Sequence, residues 1–154
     1  MRVPFLNLKI CHKEIQAELE QAFTRVLNSG QYILGEEVSA FEEEFSRYCE
    51  ANYSIGLSNG LDALFLALKV LDIGVGDEVI VPSNTYIATW LAVSANGATP
   101  VPVEPNIQTH NIDIDKIESS ITNKTKCILI VHLYGQPADI DKVKELAKKY
   151  NLYV

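Results

Sequence analysis

From Tyr53 onward the chain alternates short β-branched runs with helix-sized segments, and the runs lack polar alternation. Glu78-Val79-Ile80-Val81 closes at Pro82, and Cys127 to Val131 is apolar throughout. A strand with one wet face alternates apolar and polar residues, whereas a strand covered on both faces reads as a continuous apolar run. Strands separated by helical segments imply crossovers, which are right-handed when the strands are parallel. The pattern therefore predicts an α/β fold of three layers, a mostly parallel sheet flanked by helices.

The remaining elements follow from periodicity. Ile15, Leu19, Ala22, Phe23, Val26 and Leu27 mark one face of a helix that runs from Lys13 and stops at Ser29-Gly30. Val38, Phe41, Phe45 and Tyr48 mark a second, whose wet side carries Glu36, Glu37, Glu42, Glu43 and Glu44. Tyr53 to Leu57 reads as a short strand. Leu61 to Leu71, with almost no charge, reads as a helix buried on most sides. Ile87 to Ala95 is a helix, and Thr99 to Val103 is a strand whose Pro100 and Pro102 suit an edge. Asp113 to Ile121 is a helix, Cys127 to Leu133 a strand, and Asp139 to Tyr150 an amphipathic helix. Leu152-Tyr153-Val154 begins another strand, which reads as a chain cut inside an element, since strands commonly run about 5–6 residues.

Composition removes several classes. With 154 residues and 47% hydrophobic content, the chain has enough apolar material for a core. Its net charge of -7 argues against nucleic acid as a partner, because phosphate backbones select clustered Lys and Arg. The longest apolar run is strand-sized, so no membrane span is expected, and Met1 to Phe5 opens no signal peptide. Cys11, Cys49 and Cys127 show no paired spacing, which fits a reducing compartment; Cys127 is expected in the core and the cytoplasm is the expected location. His12, His110 and His132 lack partners of metal-ligand spacing, so no metal site is expected.

Three polar corners fall where strands end, the usual ligand edge of an open α/β sheet. Ser58-Asn59-Gly60-Leu61-Asp62 precedes a helix, where free N–H groups and the dipole favour an anion. An ordinary cap, with Ser58 or Asn59 capping and Asp62 complementing the dipole, fits the same residues. Pro82-Ser83-Asn84-Thr85-Tyr86 offers polar side chains and an aromatic ring for a flat ligand, or is a capped turn. His132-Leu133-Tyr134-Gly135-Gln136-Pro137 is an irregular turn with polar tips. There is no glycine fingerprint of the dinucleotide type and no Walker lysine. Together the loops suggest a platform for a phosphorylated, flat ligand.

These loops, in this order, resemble the DegT/DnrJ/StrS sugar aminotransferases. The resemblance is carried by LSNGLDALFLAL (57–68), GDEVIVPSNTYIAT (76–89), NGATPVPVE (96–104), HNIDIDKIESSIT (110–122) and VHLYGQPADID (131–141). The opening VPFLNLK and the stretch SGQYILGEEVSAFEEEF also match, so the likeness covers the whole chain. It implies part of the large domain of the pyridoxal 5′-phosphate (PLP) dependent transferase fold type I. Residues 51–154 would form that partial domain, after an N-terminal helical segment at 1–50. The family's activity is transfer of an amino group, typically from glutamate, to a keto sugar on a nucleotide diphosphate, in a homodimer.

By the same resemblance Ser58, Asn59, Gly60 and Leu61 hold the cofactor phosphate, the backbone of Gly60 and Leu61 above all, and Tyr86 stacks on the pyridine ring. Asn7, Tyr32, Tyr134 and Gln136 lie toward the sugar or the partner subunit. Many members carry Thr where this chain has Leu61, so only the backbone contact carries over. Glu104-Pro105-Asn106-Ile107 departs from a more acidic family pattern. The family's pyridinium-pairing aspartate and Schiff-base lysine fall after the Leu152-Tyr153-Val154 strand, and no lysine here sits in the lysine motif. The expectation is an N-terminal fragment that is inactive alone, binds PLP weakly or not at all, and exposes apolar surface. A non-catalytic PLP or nucleotide-sugar binding protein, regulatory in role, and a PLP-dependent sugar dehydratase remain alternatives on the same fold.

Overall fold

The computed structural model describes residues 3–154 and divides into two compact units, residues 1–56 and 57–154. The first is helical: α1 (Leu8–Glu14), α2 (Gln16–Ser29) and α3 (Glu36–Tyr48). The helix expected from Lys13 is α2, which begins at Gln16 because Ile15 leaves helical geometry (φ -113°, ψ 14°); α1 is a separate helix before it. Gly30 ends α2 in the left-handed conformation (φ 67°), which glycine adopts without steric cost.

The second unit holds α4 (Gly60–Val70), β1 (Glu78–Pro82), α5 (Ala88–Ala95), β2 (Thr99–Val103), α6 (Ile114–Ile117), β3 (Thr125–Ile128) and α7 (Ile140–Tyr150). The sheet is parallel throughout, in the order β2-β1-β3. One core cluster gathers Val79, Val81 and Cys127 with Leu68 of α4 and Ala92 and Val93 of α5. The other gathers Ile80, Val103 and Ile128 with Ile117 of α6 and Val143 and Ala147 of α7. Successive strand residues point to opposite faces, so Val79 and Val81 feed one cluster and Ile80 the other. The three-layer arrangement of helices, parallel sheet and helices is thus formed, and Cys127 is buried as expected.

The edge position of β2 has a direct cause. Thr99 donates its N–H to Asp77 O (2.9 Å), so Thr99, Val101 and Val103 face β1. Pro100 and Pro102 then turn their donor-less nitrogens outward, where no ladder bond is required.

Several expectations are corrected. Tyr53 to Leu57 is not a strand: among the described residues it has no ladder partner, and strand propensity without a neighbouring strand does not make a strand. β3 begins at Thr125 and ends at Ile128 instead of running from Cys127 to Leu133. Its neighbour β1 stops at Pro82, and Leu129 N donates the last bond, to Ile80 O (2.8 Å). The Asp113–Ile121 helix is one α-turn, α6, followed by a 3₁₀ turn at Glu118–Ser120. In α4 only Leu68 is buried, while Leu66 and Val70 are exposed, so the helix is covered on one side and not on most. Of the final strand only Tyr153 pairs, as a parallel bridge to Cys127.

Candidate functional site

Parallel strands place the residues that follow them at one edge of the sheet. Tyr86 follows β1, the segment 104–113 follows β2, and Tyr134 and Gln136 follow β3, so all three loops lie at the carboxyl edge. The N-terminus of α4 reaches the same edge. Its C-terminus feeds β1 through Leu71–Asp77, at the opposite edge, where a Cβ on Gly74 would lie 3.3 Å from Asn96 O at the end of α5. Leu61 and Leu64, near the start of α4, pack against the cluster that contains Val79 and Val81 of β1. Asn96 Nδ2 holds α5 against α4 by donating to Phe65 O (3.0 Å). Trp90 Nε1 donates to Pro82 O (3.2 Å), fixing the end of β1 to α5.

The start of α4 is a capped turn with two amides left over. Asn59 Oδ1 accepts from Asp62 N (3.0 Å), Asn59 Nδ2 donates to the Asp62 carboxylate (3.1 Å), and the Ser58 hydroxyl donates to the same carboxylate. The side chains of Ser58 and Asn59 are therefore engaged with Asp62. The N–H groups of Gly60 and Leu61 precede the first intrahelical bond and have no acceptor among the described residues. A Cβ built on Gly60 meets no atom within 4 Å, so the surface beside Gly60 is open. Two free N–H groups, a helix dipole and open space fit the phosphate of a cofactor; the dipole alone contributes about 0.3–1 kcal/mol to an anion.

The other candidates are placed as follows. Tyr86 is 79% exposed, and its carbonyl accepts from Thr89 N (3.2 Å) to start α5. Tyr134 is 97% exposed and left-handed (φ 54°, ψ 26°), in a 3₁₀ turn at Leu133–Gly135 that Gln136 closes. Beside this turn a cleft of about 300 Å³ opens, lined by Asn106, Asn111, Asp113, Pro137, Asp139 and Lys142. The amide and ammonium of Lys142 hold the Asp139 carboxyl below the usual carboxylate range. Asn7 and Tyr32 belong to the other unit. Asn7 precedes α1 without capping it, and Tyr32 lines a groove of about 380 Å³ with Arg25, Ser29 and Glu37. The Arg25–Glu37 pair there (2.6 Å) raises the guanidinium's pKa and lowers the carboxyl's.

Two side chains at the carboxyl edge escaped the sequence reading as individuals. Asn84 Nδ2 donates to His110 O (2.9 Å), and Asn111 is buried with both carboxamide atoms bonded to the loop after β3. Their partners are remote in sequence, so no local spacing marks them.

A parallel sheet flanked by helices, with polar loops at its carboxyl edge, defines an α/β protein of layered architecture. The chain belongs to the DegT/DnrJ/EryC1/StrS aminotransferase family, whose model matches residues 13–154. It is 60% identical over 152 residues to dTDP-3-amino-3,6-dideoxy-alpha-D-galactopyranose transaminase of Aneurinibacillus thermoaerophilus, covering 99% of this chain and 42% of that protein. It superposes with a TM-score of 0.95 and 56% identity on the crystal structure of S. venezuelae DesV in complex with a ketimine intermediate, covering 98% of this chain and 41% of that one. Bacillus subtilis NtdA with bound cofactor PMP gives a TM-score of 0.93 at 39% identity, covering 98% and 35%. The chain thus spans about two fifths of the length of the relatives it matches.

Proposed function

We propose that this chain supplies the phosphate seat and part of the sugar-side wall of a PLP-dependent aminotransferase acting on a nucleotide-diphosphate-linked keto sugar. A dTDP-linked deoxysugar is the substrate class, glutamate the amino donor, a homodimer the working assembly and the cytoplasm its location. Residues 51–154 then form part of the cofactor-binding large domain, preceded by a helical segment at 1–50.

In this reading the amides of Gly60 and Leu61 donate to the cofactor phosphate, and the α4 dipole adds to them. Ser58 and Asn59 act indirectly: by engaging Asp62 they hold the first turn in the geometry that aims those amides outward. Tyr86 offers an aromatic face to the coenzyme ring. Tyr134 and Gln136 bound the sugar side. PLP, when bound, supplies the electron sink that lets nitrogen move between donor and acceptor. The observation that carries the reading is the pair of amides at the start of α4, unpartnered among the described residues, beside the open surface at Gly60.

The test is a chimera of residues 1–154 with the remainder of the Aneurinibacillus relative, assayed for transfer of ¹⁵N from glutamate to a dTDP-linked keto sugar. Turnover is expected from the chimera and none from the 154-residue chain alone. A folded chimera that binds PLP and the nucleotide sugar but transfers no nitrogen would contradict this reading of residues 1–154.

A further inference from the structure

The segment after β2 leaves the sheet and returns, closing on itself. Asn106 N donates to Asn111 O (2.9 Å), His110 N to Asn106 O (2.8 Å), and Asp113 N to Glu104 O (3.2 Å). Asn106 Oδ1 takes the N–H groups of Gln108 (2.9 Å) and Thr109 (3.3 Å). The backbone at Asn111 is therefore fixed relative to β2. Its side chain, 5% exposed, reaches the loop after β3: Nδ2 donates to Gln136 O (3.0 Å) and Oδ1 accepts from Leu133 N (3.1 Å).

Leu133 and Gln136 are the two ends of the turn that carries Tyr134. That turn holds Tyr134 and Gly135 at positive φ (54° and 81°), and a residue with a Cβ seldom adopts this conformation unaided. Its own bonds are Gly135 N to His132 O and Gln136 N to Leu133 O, both 3.1 Å. One carboxamide presents a donor to one end and an acceptor to the other, which neither an aspartate nor an apolar residue can do. Asn84 extends the brace to the loop after β1 by donating to His110 O, with His110 itself at φ 60°.

We propose that Asn111 is a positioning residue that clasps the Leu133–Gln136 turn and so sets Tyr134 and Gln136 for the sugar substrate, while leaving the phosphate seat on α4 untouched. The substrate part rests on the function proposed above; the clasp itself does not.

The test uses the ¹⁵N-labelled 154-residue chain with Asn111→Leu, which keeps the volume and loses both bonds, and Asn111→Asp, which keeps an acceptor for Leu133 N. Amide exchange is read at Leu133, and amide shifts are followed on titration with dTDP-glucose and with PLP. Asn111→Leu is expected to speed Leu133 exchange by about tenfold, the loss of one net hydrogen bond. It should also abolish the dTDP-glucose response at Tyr134 and Gln136 while leaving the PLP response at Gly60 and Leu61 at the wild-type level. Asn111→Asp should restore Leu133 protection without restoring the sugar response. Wild-type exchange at Leu133 in Asn111→Leu overturns the clasp, and equal loss of both ligand responses overturns the positioning role in favour of general destabilisation. If the wild-type chain itself gives no dTDP-glucose response, the sugar-side reading fails, and Leu133 exchange still decides the clasp.

Discussion

Residues 3–56 and residues 57–154 are both rich in amphipathic helices, yet they differ in what those helices bury. No residue of α1, α2 or α3 is buried, and Phe23, Phe41, Phe45 and Tyr48 stand exposed even where Phe41 and Phe45 stack at 5.4 Å between centroids. In the second unit α5, α6 and α7 each bury residues against a strand face, and Val79, Ile80, Val81, Ile128 and Val143 are sealed from solvent. The difference shows that an apolar stripe is only half of a core. A sheet offers two flat faces on which stripes can close, and the first unit has no sheet among its described residues. Its exposed apolar faces match the homodimer proposed above, and contiguous exposed apolar surface favours self-association.

The comparison breaks most readily at the core. Ile128→Ala should cost about 2–5 kcal/mol in urea unfolding, the range for emptying a buried aliphatic site, whereas Phe23→Ala should change stability by no more than about 0.5 kcal/mol. Equal losses would mean that α2 is as well packed as β3.

Thiol chemistry sharpens the same contrast. Cys11 and Cys49 are exposed and should react with Ellman's reagent within the mixing phase, while buried Cys127 should react only as the protein unfolds. Burial pushes the Cys127 thiol up to about 11 from its usual 9.0. The folded form then holds its proton where the unfolded form has lost it, so stability should fall as pH rises from 9.0 toward about 11. Cys127→Ala should flatten that decline in a urea series across pH.

Smaller effects are expected at the start of α4. Asn59→Ala removes the cap and should cost about 1 kcal/mol. Gly60→Ala should stabilise the unit by roughly 0.5–1 kcal/mol, since its Cβ enters open space, while weakening PLP binding by filling that space. Thermal melts beside PLP titrations separate the two effects. The smallest change is shared by both units. Arg25 holds Glu37, and Lys149 with Tyr150 holds Glu118, below the ordinary glutamate range. The slight stability from these exposed pairs is present above that range and lost as pH falls through the depressed values. The acid loss should shrink in high salt.

What could be read from the sequence was whatever local pattern determines. Pro100 and Pro102 announced an edge strand because a missing donor excludes a central one. The unbroken apolar run at Cys127 announced a covered strand. Val38, Phe41, Phe45 and Tyr48 marked α3 by their spacing. Tyr53 to Leu57 misled because β-branched and aromatic content records suitability for a sheet, whereas pairing depends on a neighbour elsewhere in the chain. The start of α2 at Gln16 was hidden because Ile15 fits the spacing of the same apolar stripe. At the carboxyl edge the polar loops were legible as loops, but the Asn111 clasp was not: its partners Leu133 and Gln136 lie 22 and 25 residues away.

The central claim is that the start of α4 receives a cofactor phosphate, and amide shifts of the ¹⁵N-labelled chain test it most directly. Titration with PLP should move the Gly60 and Leu61 resonances with millimolar affinity, on the order of -4 kcal/mol, while pyridoxal, which lacks the phosphate, leaves them in place. Equal shifts with both ligands, or PLP shifts confined to other residues, would contradict the account.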